Sequence, residues 1–211
     1  MDKYEITVST FDKLANEYQA KYMDFDFYFD TYDTFCDLVK ERNAKVFEIA
    51  CGPGNIAKYL LKKRADYQIH GIDLSPNMVA LANKNNPTAI FEVMDSRNIS
   101  AVNKEFDAIM CGFCTPYLSK ADVMKLIKDM REILKVGGTL YISTMEDEDN
   151  RSGFQTSSAG DQVYIHYHQF EHLEKNLESN GFKIINVKRK QFPVTNDEPT
   201  TTDLFIYAKA V

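Results

Sequence analysis

"VFEIACGPGNIAKYL", residues 46–60, joins an apolar strand pattern to a helical pattern through a turn with two glycines. Residues 45–50 predict a short buried strand, and residues 54–64 predict a helix with its apolar side chains on one face. A glycine-rich turn at the carboxyl end of a strand exposes backbone N–H groups and leaves room for a ligand close to the chain. We therefore expect this turn to bind a ligand.

The following residues repeat the alternation of strand and helix. Short apolar runs predict strands at 67–74, 89–95, 106–112 and 139–144. Between them, Ser75 followed by proline marks the start of one helix, and a second helical pattern precedes the last of these strands, at 119–135. Short apolar strands that alternate with helices indicate an α/β fold, with a doubly wound, mostly parallel sheet covered on both faces.

The C-terminal part departs from this alternation. Residues 145–165 are polar and contain glycines and several serines, which predicts a mobile loop. A helix is predicted at 168–180, and a short turn at 193–199 joins two further strands, at 182–192 and 203–210. A short connection between successive strands indicates an antiparallel hairpin at one edge of the sheet. The complete prediction is a seven-stranded, Rossmann-like sheet.

The N-terminal 42 residues read as a separate arm ahead of the main domain, which is predicted to span 43–211. Helices are predicted near 10–22 and 30–42. A run of aromatic side chains at 25–35 lies between and within them, and its pattern fits neither a clean helix nor a strand. We expect a helical arm that packs on the domain.

Composition narrows the range of functions. The chain has 211 residues, 44% of them hydrophobic, with a net charge of −6 and a pI near 5.3. This charge disfavours binding to a nucleic-acid backbone, and no apolar run approaches the roughly 20 residues that span a bilayer. The acidic N-terminus does not resemble a signal peptide, and the four cysteines are irregularly spaced. We expect a soluble, cytoplasmic protein that binds neither nucleic acid nor membranes.

An acidic residue at the end of the second strand identifies the class of ligand. Asp73 lies about 20 residues after Gly54, where a carboxylate accepts hydrogen bonds from both ribose hydroxyls of an adenosine-containing cofactor. Gly52, Gly54 and Ala57 match the pattern G-x-G-x-x-A, so NAD and S-adenosylmethionine both remain candidates. Glu48 would repel a pyrophosphate but attract a sulfonium and an ammonium group. Together with the predicted hairpin, this charge favours S-adenosylmethionine.

Four motifs in order resemble the class I S-adenosylmethionine-dependent methyltransferases of the small-molecule type. They are "VFEIACGPGNIA", "HGIDLSPNMVALA", "FEVMDS" and "LKVGGTLYIST". The first resembles the family motif E/D-x-G-x-G-x-G, with Ala50 in place of its first glycine. The resemblance covers residues 30–145 and the closing hairpin. It implies transfer of a methyl group to an oxygen or nitrogen atom of a small molecule, with S-adenosylhomocysteine as the second product.

The resemblance also implies roles for individual residues around the cofactor. Its motifs place Glu48 near the methionyl ammonium, Gly52 and Gly54 along the methionine and ribose, Asp73 on the ribose, Leu74 and Met78 on the adenine, Asp95 with Ser96 at the adenine amino group, and Cys111 facing the methionyl chain. N-terminal arms in this family fold over the cofactor. Tyr18, Tyr22, Phe25 and Tyr28 are therefore lid candidates, although the same side chains could be plain core.

The acceptor side is predicted from "YIHYHQFEHL", residues 164–173, and from the loop after the fourth strand. If the first segment is extended, His166 and His168 face the same way and could act as a base or orient the acceptor, with Tyr117 as a neighbour. Structural histidines are the alternative, and no metal site is expected. Cys111 and Cys114 read as packing cysteines rather than as a redox or zinc pair.

Three other functions fit parts of the sequence. A binding module that holds the cofactor without catalysis has the same cofactor motifs. A nucleic-acid or protein methyltransferase is faintly suggested by Thr115-Pro116-Tyr117, which lacks the acidic or amide residue that such enzymes carry there. An NAD oxidoreductase matches the glycine pattern alone. The intact cofactor motifs together with the aromatic arm favour catalysis over binding alone. The missing acidic or amide residue disfavours a nucleic-acid or protein substrate, and Glu48 with the predicted hairpin disfavours NAD.

Overall fold

The computed structural model describes residues 2–191 and 201–211, so the turn predicted at 193–199 lies outside the described residues. Nine strands are Lys45–Ile49 (β1), Gln68–Asp73 (β2), Ile90–Val93 (β3), Phe106–Cys111 (β4), Leu134–Glu146 (β5), Gly153–Thr156 (β6), Gln162–Ile165 (β7), Phe182–Gln191 (β8) and Thr202–Ala210 (β9) in this part of the chain. Its seven α-helices are Lys3–Lys13 (α1), Ala15–Tyr22 (α2), Phe29–Leu38 (α3), Asn55–Lys63 (α4), Pro76–Asn85 (α5), Lys120–Ile133 (α6) and Phe170–Ser179 (α7).

Seven strands form one sheet in the order β3-β2-β1-β4-β5-β9-β8. The first five of these pair in parallel, whereas β9 runs antiparallel to both β5 and β8. The doubly wound, seven-stranded prediction with a C-terminal antiparallel pair is therefore confirmed. The strand order runs from β1 to β2 and β3 on one side and continues with β4 on the other, so it reverses between β1 and β4. In open α/β sheets, ligands bind at this switch point, outside the carboxyl ends of the strands.

Both faces of the sheet are buried, as a parallel sheet requires. Phe47 and Ile49 of β1 belong to a cluster that includes residues of α6 and α7. Val46 points the other way and belongs to a cluster with residues of α3, α4 and α5. Successive side chains of β1 thus point alternately into the hydrophobic clusters on the two faces of the sheet. Glu48 points to the same face as Val46.

The first helix of the N-terminal arm begins earlier than the sequence suggested. Helix α1 starts at Lys3 because the Asp2 side chain accepts hydrogen bonds from the N–H groups of Tyr4 and Glu5, and Glu5 bonds back to the Asp2 N–H. This capping box satisfies the free donors of the first turn. The predicted helices near 10–22 and 30–42 are α1 with α2, and α3, which ends at Leu38.

The segment 145–165 contains regular structure that was not predicted. Strands β6 and β7 form a two-stranded antiparallel sheet of their own. Helix α1 holds this hairpin, because Thr7 accepts from the Tyr164 N–H, Thr10 donates to the Gln162 carbonyl and Lys13 pairs with Asp161. A contact with a distant helix cannot be read from local composition, which is why the polar segment resembled a loop. Its mobility stays a prediction.

Gly54 has a packing role in addition to its place in the turn. Its φ is +78°, and an added Cβ would lie 2.3 Å from the Asn86 side chain and 3.2 Å from the Ala82 Cα. Gly137 has the same φ of +78° but has open space where a Cβ would lie. The two glycines therefore share the backbone requirement and differ in packing.

Gly54→Ala is expected to lower the free energy of unfolding by about 2 kcal/mol more than Gly137→Ala does, because overpacking adds to the shared backbone strain. Urea unfolding of both variants measures this difference. Equal losses in the two variants would mean that α5 yields to the added methyl group at no cost.

Candidate active site

A cleft-shaped cavity lies along the carboxyl edge of the parallel strands, and its empty space of about 910 Å³ includes solvent at its open mouth. Its lining follows the strand order, with Met94, Asp95, Ser96 and Arg97 after β3, Ile72, Asp73, Leu74, Ser75 and Met78 at β2 and its helix, Ala50 and Gly52 after β1, and Gly112, Phe113, Cys114, Tyr117 and Leu118 after β4. Tyr4, Thr7, Val8 and Phe11 of α1 and Tyr18 of α2 complete it.

The two ends of this cavity differ in charge. From β3 to β4 the edge crosses three strand spacings, about 14 Å in all, so an elongated ligand can lie across the strand ends. Among the described lining residues, the charged side chains are Asp73, Asp95 and Arg97, all at the β3 and β2 end. The β4 end is aromatic and apolar. The cavity therefore has a polar half and an aromatic half.

Asp73 connects two of the segments that form the polar half. Its carboxylate accepts hydrogen bonds from the backbone N–H groups of Gly52 and Ser75, each at 2.9 Å. Burial raises its pKa above the usual range, and these backbone donors act in the opposite direction. Each oxygen accepts one backbone bond and retains a lone pair. Asp73 is thus positioned to bind two hydroxyl groups of a ligand.

The glycine turn brings its backbone to the cavity wall. Gly52 has a φ of +52°, and Ala50 adopts +56°, which is uncommon for a residue with a side chain. Ala50 occupies the place of the first glycine in the family motif, which explains why the motif favours glycine there. A Cβ added at Gly52 would project towards the Tyr18 ring, 3.8 Å from Cε1. The missing side chain leaves this space to a ligand.

Glu48 is fully buried behind the turn, and neither carboxyl oxygen has a hydrogen-bond partner among the described residues. Burial raises its pKa to about 8; a weak approach of the Ala57 N–H lowers it, and the Asp73 charge raises it further. Glu48 is not among the residues that line the cavity. This carboxyl group therefore keeps its proton at neutral pH in the free protein, and a cation that binds on the cavity side of the turn would lower its pKa and favour its ionised form.

Asp95 lines the cavity, but its carboxylate already has partners. Burial opposes ionisation, yet the Arg97 side chain, which binds both carboxylate oxygens at 2.6 to 3.0 Å, lowers the pKa of Asp95. The Arg97 guanidinium also lies over the Tyr4 ring, 4.5 Å from its centroid. Sequence reasoning missed Arg97, and its position two residues after Asp95 in a turn was the only signal available.

Helix α1 covers the cavity and is bonded to the domain at several points. Asp12 accepts from the Ser75 hydroxyl and from the Asn77 N–H, at 2.7 and 2.9 Å. The Tyr4 hydroxyl donates to Asp122 of α6. Of the predicted lid residues Tyr18, Tyr22, Phe25 and Tyr28, only Tyr18 lines the cavity. The covering side chains are those of α1, which carries no aromatic run that would have marked it.

The other three lid candidates extend the aromatic contacts away from the cavity. Tyr18 contacts Tyr22, Tyr22 contacts Phe25, and Phe25 contacts Tyr28, with ring centroids 4.5 to 5.8 Å apart. Tyr28 then donates a hydrogen bond to Asp203, which burial holds at a pKa of about 6. These rings act as packing for the arm, which favours the core alternative for this part of it.

Tyr117 is where the sequence predicted it, at the β4 end of the cavity. Its ring contacts Phe11 with centroids 4.9 Å apart. Burial raises its pKa well above the usual range, so the hydroxyl stays protonated at neutral pH. Tyr117 is therefore a hydrogen-bond donor rather than a base.

The two histidines face the same way but do not reach the cavity. Their rings stack with centroids 6.3 Å apart, yet neither His166 nor His168 is a lining residue. His168 bonds through Nε2 to the Thr115 carbonyl, at 2.9 Å, and burial lowers its pKa. Burial lowers the pKa of His166 to about 4, and its Nε2 has no partner among the described residues. Their place behind the β4 loop counts against direct contact with an acceptor.

Two predicted cofactor contacts also lie outside the cavity wall. Gly54 packs against α5, and Cys111 is fully buried at the end of β4. The thiol of Cys111 bonds to Cys114, and this bond together with burial raises its pKa far above the usual range. Both cysteines are free thiols, and only Cys114 lines the cavity. The pair therefore packs beneath the site, as the sequence indicated.

Residues 2–191 and 201–211 contain neither a metal site nor a membrane-spanning helix. No group of three or more histidine, cysteine and acidic side chains is arranged to hold a metal ion in these ranges. None of the helices in these ranges is long and apolar enough to cross a membrane.

The fold and the polar half of the cavity define an α/β protein with a site for an adenosine-containing cofactor. Residues 46–138 match the family model described as a methyltransferase domain. The demethylmenaquinone methyltransferase of Thermotoga maritima is 30% identical over 135 residues, which cover 63% of this chain and 58% of that protein. A probable S-adenosyl-L-methionine-dependent methyltransferase, TehB of Haemophilus influenzae, is 24% identical over 83% of this chain and 62% of its own length.

Solved structures show the same fold. DhpI, in a complex with S-adenosylhomocysteine, superposes with a TM-score of 0.72 at 17% identity, over 99% of this chain and 97% of that one. Magnesium protoporphyrin IX methyltransferase from Synechocystis, with S-adenosylmethionine bound, gives 0.72 at 14% identity, over 100% and 98%. A methyltransferase from Clostridium acetobutylicum gives 0.71 at 19% identity, over 94% and 98%.

Residues 46–138 belong to the methyltransferase domain family, and the resemblance and the S-adenosylmethionine cofactor drawn from the sequence are confirmed. The chain spans about half the length of the curated relatives that it matches. The site fits the cofactor of the family, because Asp73 offers acceptors for a ribose, Gly52 leaves room for a ligand, and the buried Glu48 favours a nearby cation.

Proposed function

We propose that this protein transfers a methyl group from S-adenosylmethionine to an oxygen or nitrogen atom of a small molecule. The observation that carries the proposal is the two-part cavity, with a carboxylate suited to a ribose in the polar half and aromatic side chains in the other half. When bound, S-adenosylmethionine supplies a methyl group on a positively charged sulfur. The demethylmenaquinone methyltransferases among the relatives support an organic small molecule as acceptor.

The residues of the polar half hold the adenosine part in this proposal. Asp73 binds the ribose hydroxyls, while Leu74 and Met78 pack on the adenine, with Asp95 and Ser96 at its edge. Arg97 keeps the Asp95 carboxylate ionised and fixed, so that it offers a rigid acceptor. Because the protein has already positioned these groups, no conformational entropy is lost in ordering them when the cofactor binds.

The turn and the covering helix act on the methionine part. Glu48 lies behind the turn, so we propose that it attracts the ammonium group through a bridging water rather than by direct contact. Tyr18 lies on the far side of the space beside Gly52, and we propose that its ring covers the methionine part there. Methyl transfer needs alignment and the exclusion of water more than it needs acid or base groups. A cavity covered by α1 meets this need.

S-adenosylhomocysteine at about 100 times its dissociation constant is expected to raise the melting temperature by about 5 °C or more, because a ligand of the native state contributes about 2.7 kcal/mol at that ratio. NAD at the same concentration is expected to leave the melting temperature unchanged, because a pyrophosphate at the turn, unlike an ammonium group, gains nothing from ionisation of Glu48. Thermal unfolding followed by circular dichroism measures both. A larger shift with NAD would overturn the cofactor assignment.

Transfer itself needs a second measurement. Incubation with S-adenosylmethionine and a panel of small phenols, amines and carboxylic acids is expected to yield one methylated product, detected by mass spectrometry together with S-adenosylhomocysteine. Binding of S-adenosylhomocysteine without methylation of any member of the panel would favour the binding module over the enzyme.

A further inference from the structure

We infer that the acceptor is an uncharged, planar aromatic molecule that is methylated at a phenolic hydroxyl group, an inference that rests on the function proposed above. It follows from the β4 end of the cavity, here called the aromatic chamber. Its wall consists of Phe11, Tyr18, Phe113, Cys114, Tyr117 and Leu118.

The shape of the chamber suits a flat ring. The Phe11 ring meets Tyr117 at 75° and Tyr18 at 82°, with centroids 4.9 and 5.9 Å apart. Phe113 is held in place by Tyr28, whose ring centroid is 5.2 Å away, and by the Ser143 hydroxyl, which accepts from its N–H. Rings in edge-to-face contact present edges and faces to a further ring, which is the arrangement that aromatic molecules prefer.

Two hydroxyl groups in the chamber are available to a ligand. Among residues 2–191 and 201–211, no hydrogen-bond partner is found for the hydroxyl of Tyr18 or of Tyr117, and both side chains line the cavity. Burial raises the pKa of both groups, so each keeps its proton and can donate it in a hydrogen bond. Two donors beside an aromatic wall match an oxygen atom attached to a ring.

The charges of the site exclude the other common acceptors. A carboxylate acceptor would need a cation, but Arg97, the cation among the described lining residues, lies at the other end and is bound to Asp95. An alkyl hydroxyl would need a base to remove its proton, and an ammonium group would enter a chamber whose described wall residues offer no carboxylate to pair with it. Asp73 and Asp95 are bound at the polar end, and the imidazoles of His166 and His168 lie behind the wall.

A phenol needs no base from the protein, because it ionises at a pH of roughly 10 in water, and two nearby donors favour its oxyanion further. The phenol proton goes to solvent before transfer. The phenolate oxygen then forms the new bond to the methyl carbon, and the electron pair of the carbon–sulfur bond stays on sulfur. The products are an aryl methyl ether and neutral S-adenosylhomocysteine.

The test uses four probes that share a naphthalene ring, namely 2-naphthol, 2-naphthoate, 2-naphthylmethylamine and 2-naphthylmethanol, titrated calorimetrically into the protein saturated with S-adenosylhomocysteine. We expect 2-naphthol to bind at least tenfold more tightly than the anion and the cation. Tyr18→Phe and Tyr117→Phe are each expected to weaken its binding about fivefold, the loss of one hydrogen bond of about 1 kcal/mol. With S-adenosylmethionine, 2-naphthol should yield its methyl ether.

Tyr164→Phe is the matched control, because Tyr164 lies on the hairpin and does not line the cavity. It should leave the binding of 2-naphthol unchanged. Tighter binding of 2-naphthoate or 2-naphthylmethylamine, or unchanged affinity in both tyrosine variants, would overturn the inference while the proposed function stands. Failure of S-adenosylhomocysteine itself to bind would overturn both.

Discussion

Asp73→Asn is expected to weaken the binding of S-adenosylhomocysteine on the order of 100-fold, the largest effect on affinity that this site predicts. Hydrogen bonds to a charged group contribute about 1.5–3 kcal/mol each, and a ribose offers two hydroxyls to this carboxylate. In the variant, the NH2 group of the introduced asparagine replaces one carboxylate oxygen. It then faces the backbone N–H of Gly52 or of Ser75, so two donors meet and one hydrogen bond is lost. Isothermal titration below the melting temperature measures the dissociation constant.

Asp107→Asn is the control that separates a loss of cofactor affinity from a loss of protein stability. Asp107 also accepts from a backbone N–H of a neighbouring strand, that of Lys45 at 2.8 Å, and pairs with Lys135. It lies at the start of β4, on the opposite edge of the sheet from the cavity. This control should lose stability and keep its affinity. An Asp73→Asn protein that binds S-adenosylhomocysteine within threefold of the parent would place the ribose site elsewhere.

Glu48→Gln is expected to become more stable than the parent as pH rises, by about 5 kcal/mol at pH 9. Burial raises the pKa of Glu48 from 4.5 to about 8 in the folded protein. Between these values the unfolded chain has lost this proton and the native state retains it, so rising pH destabilises the native state. The slope is about 1.4 kcal/mol per pH unit. Below pH 4.5 both states hold the proton and the effect vanishes.

Urea unfolding at pH 5, 7 and 9 tests this prediction through the difference between parent and variant. The difference is needed because other groups that face Glu48 titrate too, Asp73 above all, whose pKa is also raised. Glu132→Gln, at an exposed position on α6, is the control and should show no pH-dependent gain. A constant difference between Glu48→Gln and the parent at all three pH values would mean that Glu48 is ionised throughout.

The parallel core of this fold could be predicted because its signals are local. Short, largely apolar runs marked the five parallel strands, and the helices that follow β1, β2 and β4 have an apolar face, so periodicity placed them. Strand β5 was predicted too short, because it begins at Leu134 and includes the two glycines that read as a helix stop. Ser75 and the proline after it marked the start of α5, and the Ser75 hydroxyl accepts from the Met78 N–H as an N-cap does. Boundaries moved by a few residues where capping depended on side chains such as Asp2.

The cofactor half of the site was predictable for a related reason. Residues at the carboxyl ends of adjacent parallel strands meet at one edge, so a fold prediction is enough to bring Gly52, Asp73 and Asp95 together. Gly54 and Cys111 were assigned with them, because a motif does not tell a ligand contact from a packing contact. The distinction depends on α5 and on the core beneath β4, which lie elsewhere in the sequence.

The sequence by itself determined the α/β alternation, the antiparallel C-terminal pair and the cofactor class, and it singled out the acidic residue that we propose for the ribose. Only the tertiary structure decided which side chains cover the cavity, that Arg97 holds Asp95, and that His166 and His168 lie behind the β4 loop. It also decided that Glu48 is buried with no hydrogen-bond partner among the described residues. The physical reason is the distance along the chain over which each signal acts. Periodicity and turn chemistry act over a few residues, whereas burial and charge pairing depend on segments that meet only after the chain has folded.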